Sequence, residues 1–168
     1  MRLDVETTRA GPGCLLVLLC LLLGCLAMPA RALVLSASDG LGRGVQLSGA
    51  LEIQRDPSGR WRIADVARGA QRSGFAPLEG PVQEGFGRDA VWLRFSLART
   101  ADAPARWLLR VRPPRIHEAT LYAPDGRGGF VETPLGDARP FAAREIPDHN
   151  FVFPLDLPTE PAVYFLRL

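Results

Sequence analysis

The sequence predicts an all-β domain, a sandwich or a barrel, behind an N-terminal export leader. Three observations predict it. The 17 glycines and 15 prolines punctuate the chain too often for long helices. No window carries an apolar repeat at helical spacing, whereas short runs alternate with period two between turn residues. An uncharged stretch, residues 10–30, leads into Ala30-Arg31-Ala32, with small residues at the two positions a signal peptidase reads.

The densest part of that stretch, residues 15–26, falls short of the roughly 20 apolar residues of a bilayer span. It is expected to be the apolar core of a signal-peptide helix within residues 1–32, with everything from about Leu33 exported. Two alternatives stay open. Leu22-Leu23-Gly24-Cys25 resembles a lipoprotein cleavage box, which would place a lipid on Cys25, and an uncleaved leader would serve as a membrane anchor. Cys14, Cys20 and Cys25 all lie in the leader and residues 33–168 hold none. A disulfide framework, a thiolate metal site and a cysteine nucleophile are thereby excluded from the exported part.

Past the leader the elements follow in order. Residues 45–54 read as a strand closed by the turn Asp56-Pro57-Ser58-Gly59, and residues 61–67 as a short helical turn or a strand. Residues 68–88, rich in Gly, Pro and polar side chains, read as a long connection across one end of the fold. Residues 90–97 are the clearest strand: Val91, Leu93, Phe95 and Leu97 share one face, and Trp92, Arg94 and Ser96 the other, which implies one buried face. Residues 106–112 repeat the pattern, with Trp107, Leu109 and Val111 opposite Leu108, Arg110 and Arg112. Residues 118–122 and 129–133 flank Pro124-Asp125-Gly126 as a hairpin. Residues 137–148 form a second connection. Residues 150–157 turn Phe151, Phe153, Leu155 and Leu157 inward, with Pro154 marking an edge or a bulge. Residues 163–168 form the last strand and end apolar, without a turn or polar tail. The expectation is one domain over 33–168, truncated at its C-terminal end, whose final strand lacks a neighbour and leaves an aggregation-prone edge.

Roughly 136 residues after the leader suffice to bury a core without covalent staples. Their 17 arginines and 16 acidic residues are well mixed, so the stripe of a nucleic-acid binder is missing. There is no lysine, the habit of a GC-rich genome, and a single arginine is therefore weak evidence of a site.

The order of segments resembles a bacterial module, the second type of extracellular domain in seven-transmembrane receptors with diverse intracellular signalling modules. The resemblance is carried by Glu52, Asp56-Pro57-Ser58-Gly59, residues 61–66, Phe75 with Pro77, residues 91–95, Trp107-Leu108-Leu109 with Pro113-Pro114, and residues 119–122. It continues through Gly136-Asp137, Arg139-Pro140-Phe141, Arg144, residues 151–155 and 164–167. It implies a jelly-roll-like antiparallel β-sandwich in the periplasm that binds a carbohydrate or another small extracellular ligand. It also implies a membrane-embedded signalling region in a full-length receptor, and neither that region nor an output module follows in this chain.

Sugar-binding sandwiches stack flat rings on the apolar face of a pyranose and pair its hydroxyls with polar side chains. The face away from the core is expected to offer Trp92, Arg94, Arg110 and Tyr122 for that purpose. The competing expectation is that Trp92 covers the sheet and Arg94 stacks on it as packing. Asp137, Arg139 and Arg144 are expected to form an ionic latch closing a loop over the rim, or one wall of a ligand pocket. His117 and His149 lack the paired spacing of a metal site and suit turns, so neither metal nor cofactor is expected. Glu118, Asp137 and Glu145 supply carboxylates for glycoside hydrolysis, but nothing pairs them, and no nucleophile elbow or phosphate loop occurs. The chain is thus expected to be a non-catalytic sensor domain, with an adhesion or assembly module acting by edge-strand pairing as the alternative.

Overall fold

The computed structural model describes residues 32–42, 44–80, 89–112, 116–137 and 139–168; the expected leader and its three cysteines lie outside these residues. In chain order the elements are β1 (Leu33–Leu35), β2 (Glu52–Asp56), α1 (Ile63–Ala67), β3 (Ala76–Pro77), β4 (Ala90–Arg99) and β5 (Arg106–Val111). They continue with β6 (Ala119–Pro124), β7 (Phe130–Leu135), β8 (Phe151–Asp156) and β9 (Ala162–Arg167). One sheet runs β3-β2-β4-β9-β6-β7, with β1 lying parallel beside the far end of β4, and β5 pairs with β8 in a second sheet. Every pairing except β1 with β4 is antiparallel. The expected all-β sandwich is what forms.

Its core follows from the period-two pattern. Val91, Leu93, Phe95 and Leu97 of β4, Leu121 of β6, and Tyr164 and Leu166 of β9 face Phe151, Phe153 and Leu155 of β8 across the sandwich. Trp107, Leu109 and Val111 of β5 close it from the same side, as their spacing predicts, while Leu108 faces outward. Phe95 and Tyr164 sit opposite each other on the β4–β9 ladder with rings 5.7 Å apart and nearly parallel. Pro154 sits on an edge strand, where its missing N–H removes no ladder bond between β8 and a second neighbour. The β6–β7 hairpin forms as expected, and Asp125 organises its turn by accepting from the Arg127 and Gly129 N–H groups at 2.8 and 2.7 Å.

Three expectations are corrected. The strand expected at 45–54 begins only at Glu52, because a turn from Leu47 to Ala50 carries Gly49 at φ +87°, which no strand accommodates. The final strand is not an edge: β9 lies between β4 and β6, paired with both. Its nearly continuous apolar run reflects burial on two faces rather than a missing partner. β4, finally, has two buried faces and not one, since Trp92 is 0 % exposed and Ser96 is buried as well.

Candidate functional site

The back of the large sheet, expected to be the open ligand-binding face, is a second core. α1 places Val66 inward, and the segment through Phe75 folds over the sheet, so that Val66, Trp92, Tyr122 and Phe165 are enclosed with Trp61, Ile63 and Phe130 around them. Trp92 stacks on Tyr122 at 5.4 Å, and Phe165 takes Phe130 edge-on at 5.5 Å. Tyr122 is only 7 % exposed, and burial pushes its hydroxyl pKa up, with Glu132 adding to the effect. Ring faces committed to each other have none to offer a sugar.

A buried carboxylate builds this cover. Asp56, 0 % exposed at the end of β2, accepts the Ser58 N–H at 3.0 Å, the Ser58 hydroxyl at 2.6 Å and the Trp61 N–H at 2.9 Å, fixing the turn that leads into α1. Burial alone would raise its pKa; the Ser58 hydroxyl and the Trp61, Ser58 and Gly59 N–H groups outweigh it and hold the carboxyl below its ordinary value. Arg94 fastens the other end. Its Nε and Nη2 grip Glu52 at 2.6 and 2.9 Å, its Nη1 donates to the Arg72 carbonyl at 3.0 Å, and its guanidinium lies 4.3 Å from the Phe75 ring centroid. These contacts occupy Arg94 as a clasp between strand and cover.

The rim at residues 134–150 is arranged differently. Gly136 has φ +151°, and a Cβ there would overlap the His117 carbonyl oxygen and meet Glu118 Cα at 2.9 Å, so only glycine lets the chain leave β7 this close to the start of β6. A single 3-10 turn at Phe141–Ala143 follows, closed by the Arg144 N–H to the Phe141 carbonyl. Side chains three apart eclipse in such a turn, which sets the Arg144 guanidinium 4.9 Å from the Phe141 ring centroid. Phe151, projecting from β8, brings a second ring to 4.8 Å. Arg144 Nη1 donates to the Asp148 carbonyl at 2.8 Å, while its Nε–H is buried without a partner among the described residues. Pro134, Leu135, Gly136, Arg139, Pro140 and Arg144 line a concavity of about 50 Å³.

The structure therefore regroups the expected site residues. Trp92, Arg94 and Tyr122 lie on the back of the large sheet, and Arg110 lies on the outer face of the small one, where its Nη2 stands 3.5 Å from Asp148 Oδ2. Through Asp148, Arg110 is linked to Arg144, which lines the concavity with Arg139. Asp148 also accepts the Asn150 N–H and side-chain amide, and these bonds, then Arg110, hold its pKa low. The ionic form of the latch is corrected: no ion pair joins Asp137 to Arg139 or Arg144 among the described residues, and Arg144 closes the loop through a carbonyl and two rings instead. Sequence reasoning missed Phe141, Phe151 and Asp148 as the holders of Arg144; the three-residue interval from Phe141 to Arg144 was the only signal available.

The carboxylates weighed for hydrolysis stay apart. Glu118 lies 3.5 Å from Arg167, Glu145 pairs with Arg106 at 2.7 Å, and Asp137 is exposed. Among the described residues no His, Cys, Asp and Glu side chains gather to hold a metal, and no helix is long and apolar enough to cross a membrane. A family model described as 7TMR-DISM extracellular 2 matches residues 48–168. No match to the chain is found among curated proteins.

Proposed function

The chain belongs to the 7TMR-DISM extracellular 2 family, and from that premise we propose that it is the non-catalytic ligand-binding part of a membrane signalling receptor. Residues 1–32 act as the export leader, and residues 33–168 act outside the cytoplasm. The ligand is a small extracellular molecule, with carbohydrates the first class to test. Arg139, Arg144 and Arg110 meet it at the rim; Trp92, Arg94 and Tyr122 support the sheet behind. Occupancy becomes a signal only if ligand binds one of two poses of the domain, relative to its membrane-embedded region, more tightly than the other.

The observation that supports this most is the rim concavity, where Arg139 and Arg144 converge on a space framed by a glycine that no other residue can replace. The test is a thermal-shift screen of neutral and acidic sugars on the exported protein and on Arg139→Ala. Saturable stabilisation of the wild type that the variant loses supports the proposal. No stabilisation by any sugar, together with a stoichiometric protein partner in material purified from the periplasm, would replace it. The free edge of β5 favours that second function, adhesion or assembly: β5 pairs only with β8 among the described residues, and its outward Leu108 is 56 % exposed.

A further inference from the structure

We infer that the rim concavity holds a carboxylate, so that the ligand of this domain is an acidic one, a uronic acid among sugars; the inference rests on the chain being a ligand-binding domain. Four arginines elsewhere on the domain face a carboxylate, while Arg99 spends its N–H groups on backbone carbonyls. Arg94 grips Glu52, Arg106 meets Glu145, Arg110 faces Asp148 and Arg167 approaches Glu118. The two that line the concavity meet no carboxylate among the described residues. Arg144 is the sharper case, because its guanidinium is drawn between two rings and its Nε–H is buried without an acceptor. Arg144 is half-buried, and withdrawing part of a cation from water without a counter-charge is costly; an anion at this place offsets that cost.

The neighbouring acids do not supply it. Both oxygens of Asp148 are engaged away from Arg144, Oδ1 by Asn150 and Oδ2 by Arg110, and Asp137 is exposed one residue beyond Gly136. The size selects among anions. About 50 Å³ admits a group of a few heavy atoms, since roughly 10–15 Å³ accommodates one water molecule. A planar two-oxygen group also matches the fork of a guanidinium flanked by two rings.

The experiment follows the arginine Nε–H resonances of the exported protein by NMR. The additions are sodium acetate and sodium glucuronate, with sodium chloride at equal ionic strength, inorganic phosphate and glucose as comparisons. The Arg144 Nε–H signal is expected to move saturably with acetate and glucuronate while those of Arg94 and Arg106 stay in place. Arg139→Gln, a change at an exposed side chain, is expected to weaken glucuronate binding by about ten-fold or more without moving the thermal unfolding midpoint. A shift no larger than chloride gives, or phosphate displacing acetate at lower concentration, would overturn the carboxylate. Glucose binding that leaves Arg144 unmoved would also overturn it while leaving the ligand-binding proposal standing. The screen described above tests that proposal separately.

Discussion

The two faces of the large sheet are made from the same strands and closed in different ways. On the front, β5 and β8 lay a second sheet over aliphatic and aromatic side chains, and Arg99 at the end of β4 ties the layers at their margin by donating to the Leu157 carbonyl at 2.9 Å. On the back, an irregular segment from Pro57 to Pro77 covers an aromatic cluster, and it is held by a buried carboxylate at one end and an arginine clasp at the other. Regular cover pairs most of its backbone within its own sheet; irregular cover leaves backbone N–H and carbonyl groups to satisfy, and Asp56 and Arg94 do so. The back face is therefore closed, which is why the proposed ligand site lies at the rim.

Deleting large side chains is the strongest way to break this comparison. Trp92→Ala is expected to destabilise as much as Phe153→Ala, by about 3–5 kcal/mol each, in denaturant melts. A loss at Trp92 several-fold smaller than at Phe153 would mean that the back is a surface. Gly136→Ala comes next, at about 1–3 kcal/mol for a strained backbone, and it should also abolish whatever binds at Arg139 and Arg144. Retained binding in that variant would place the site elsewhere.

Asp56→Asn sharpens the comparison by testing the buried carboxylate that holds the cover, with an expected cost of about 1–3 kcal/mol from misplaced hydrogen bonds. Because the folded-state pKa of Asp56 lies below its unfolded value, its contribution is full above roughly pH 4 and is lost as pH falls through the folded pKa. The wild type should lose stability in that acid window more steeply than the variant, and parallel curves would contradict it. The smallest effects belong to the surface. Arg106→Ala, at an ion pair more than 60 % exposed on both sides, should leave the melting curve nearly unchanged, whereas Arg94→Ala should shift it measurably.

Much of the fold was legible because period two survives in β4, β5 and β8, and because Asp56-Pro57-Ser58-Gly59 closes β2 and Pro124-Asp125-Gly126 reverses the β6–β7 hairpin. What was not legible came from long-range placement. Trp92 and Arg94 alternate with apolar residues in the way of an exposed face, and nothing local says that residues 57–77, well upstream in the chain, fold back over them. Tyr164 to Leu168 reads as an interrupted edge until β6 is known to lie beside it. At the rim, Arg139 and Arg144 were legible as candidates, but their setting depends on Gly136 passing His117 and on Phe151 arriving from another strand.

Hydrogen exchange of the tryptophan indoles tests the central claim, the closed back face, most directly. The Trp107 Nε1–H donates to the Pro104 carbonyl at 2.7 Å in an exposed setting, whereas the Trp92 Nε1–H has no partner among the described residues and is wholly buried. If burial beneath the cover governs access, the Trp92 indole exchanges far more slowly than that of Trp107, and Asp56→Asn speeds it. Exchange at Trp92 as fast as at Trp107, unchanged in that variant, would show an open aromatic face and return the sugar-stacking site to Trp92 and Tyr122.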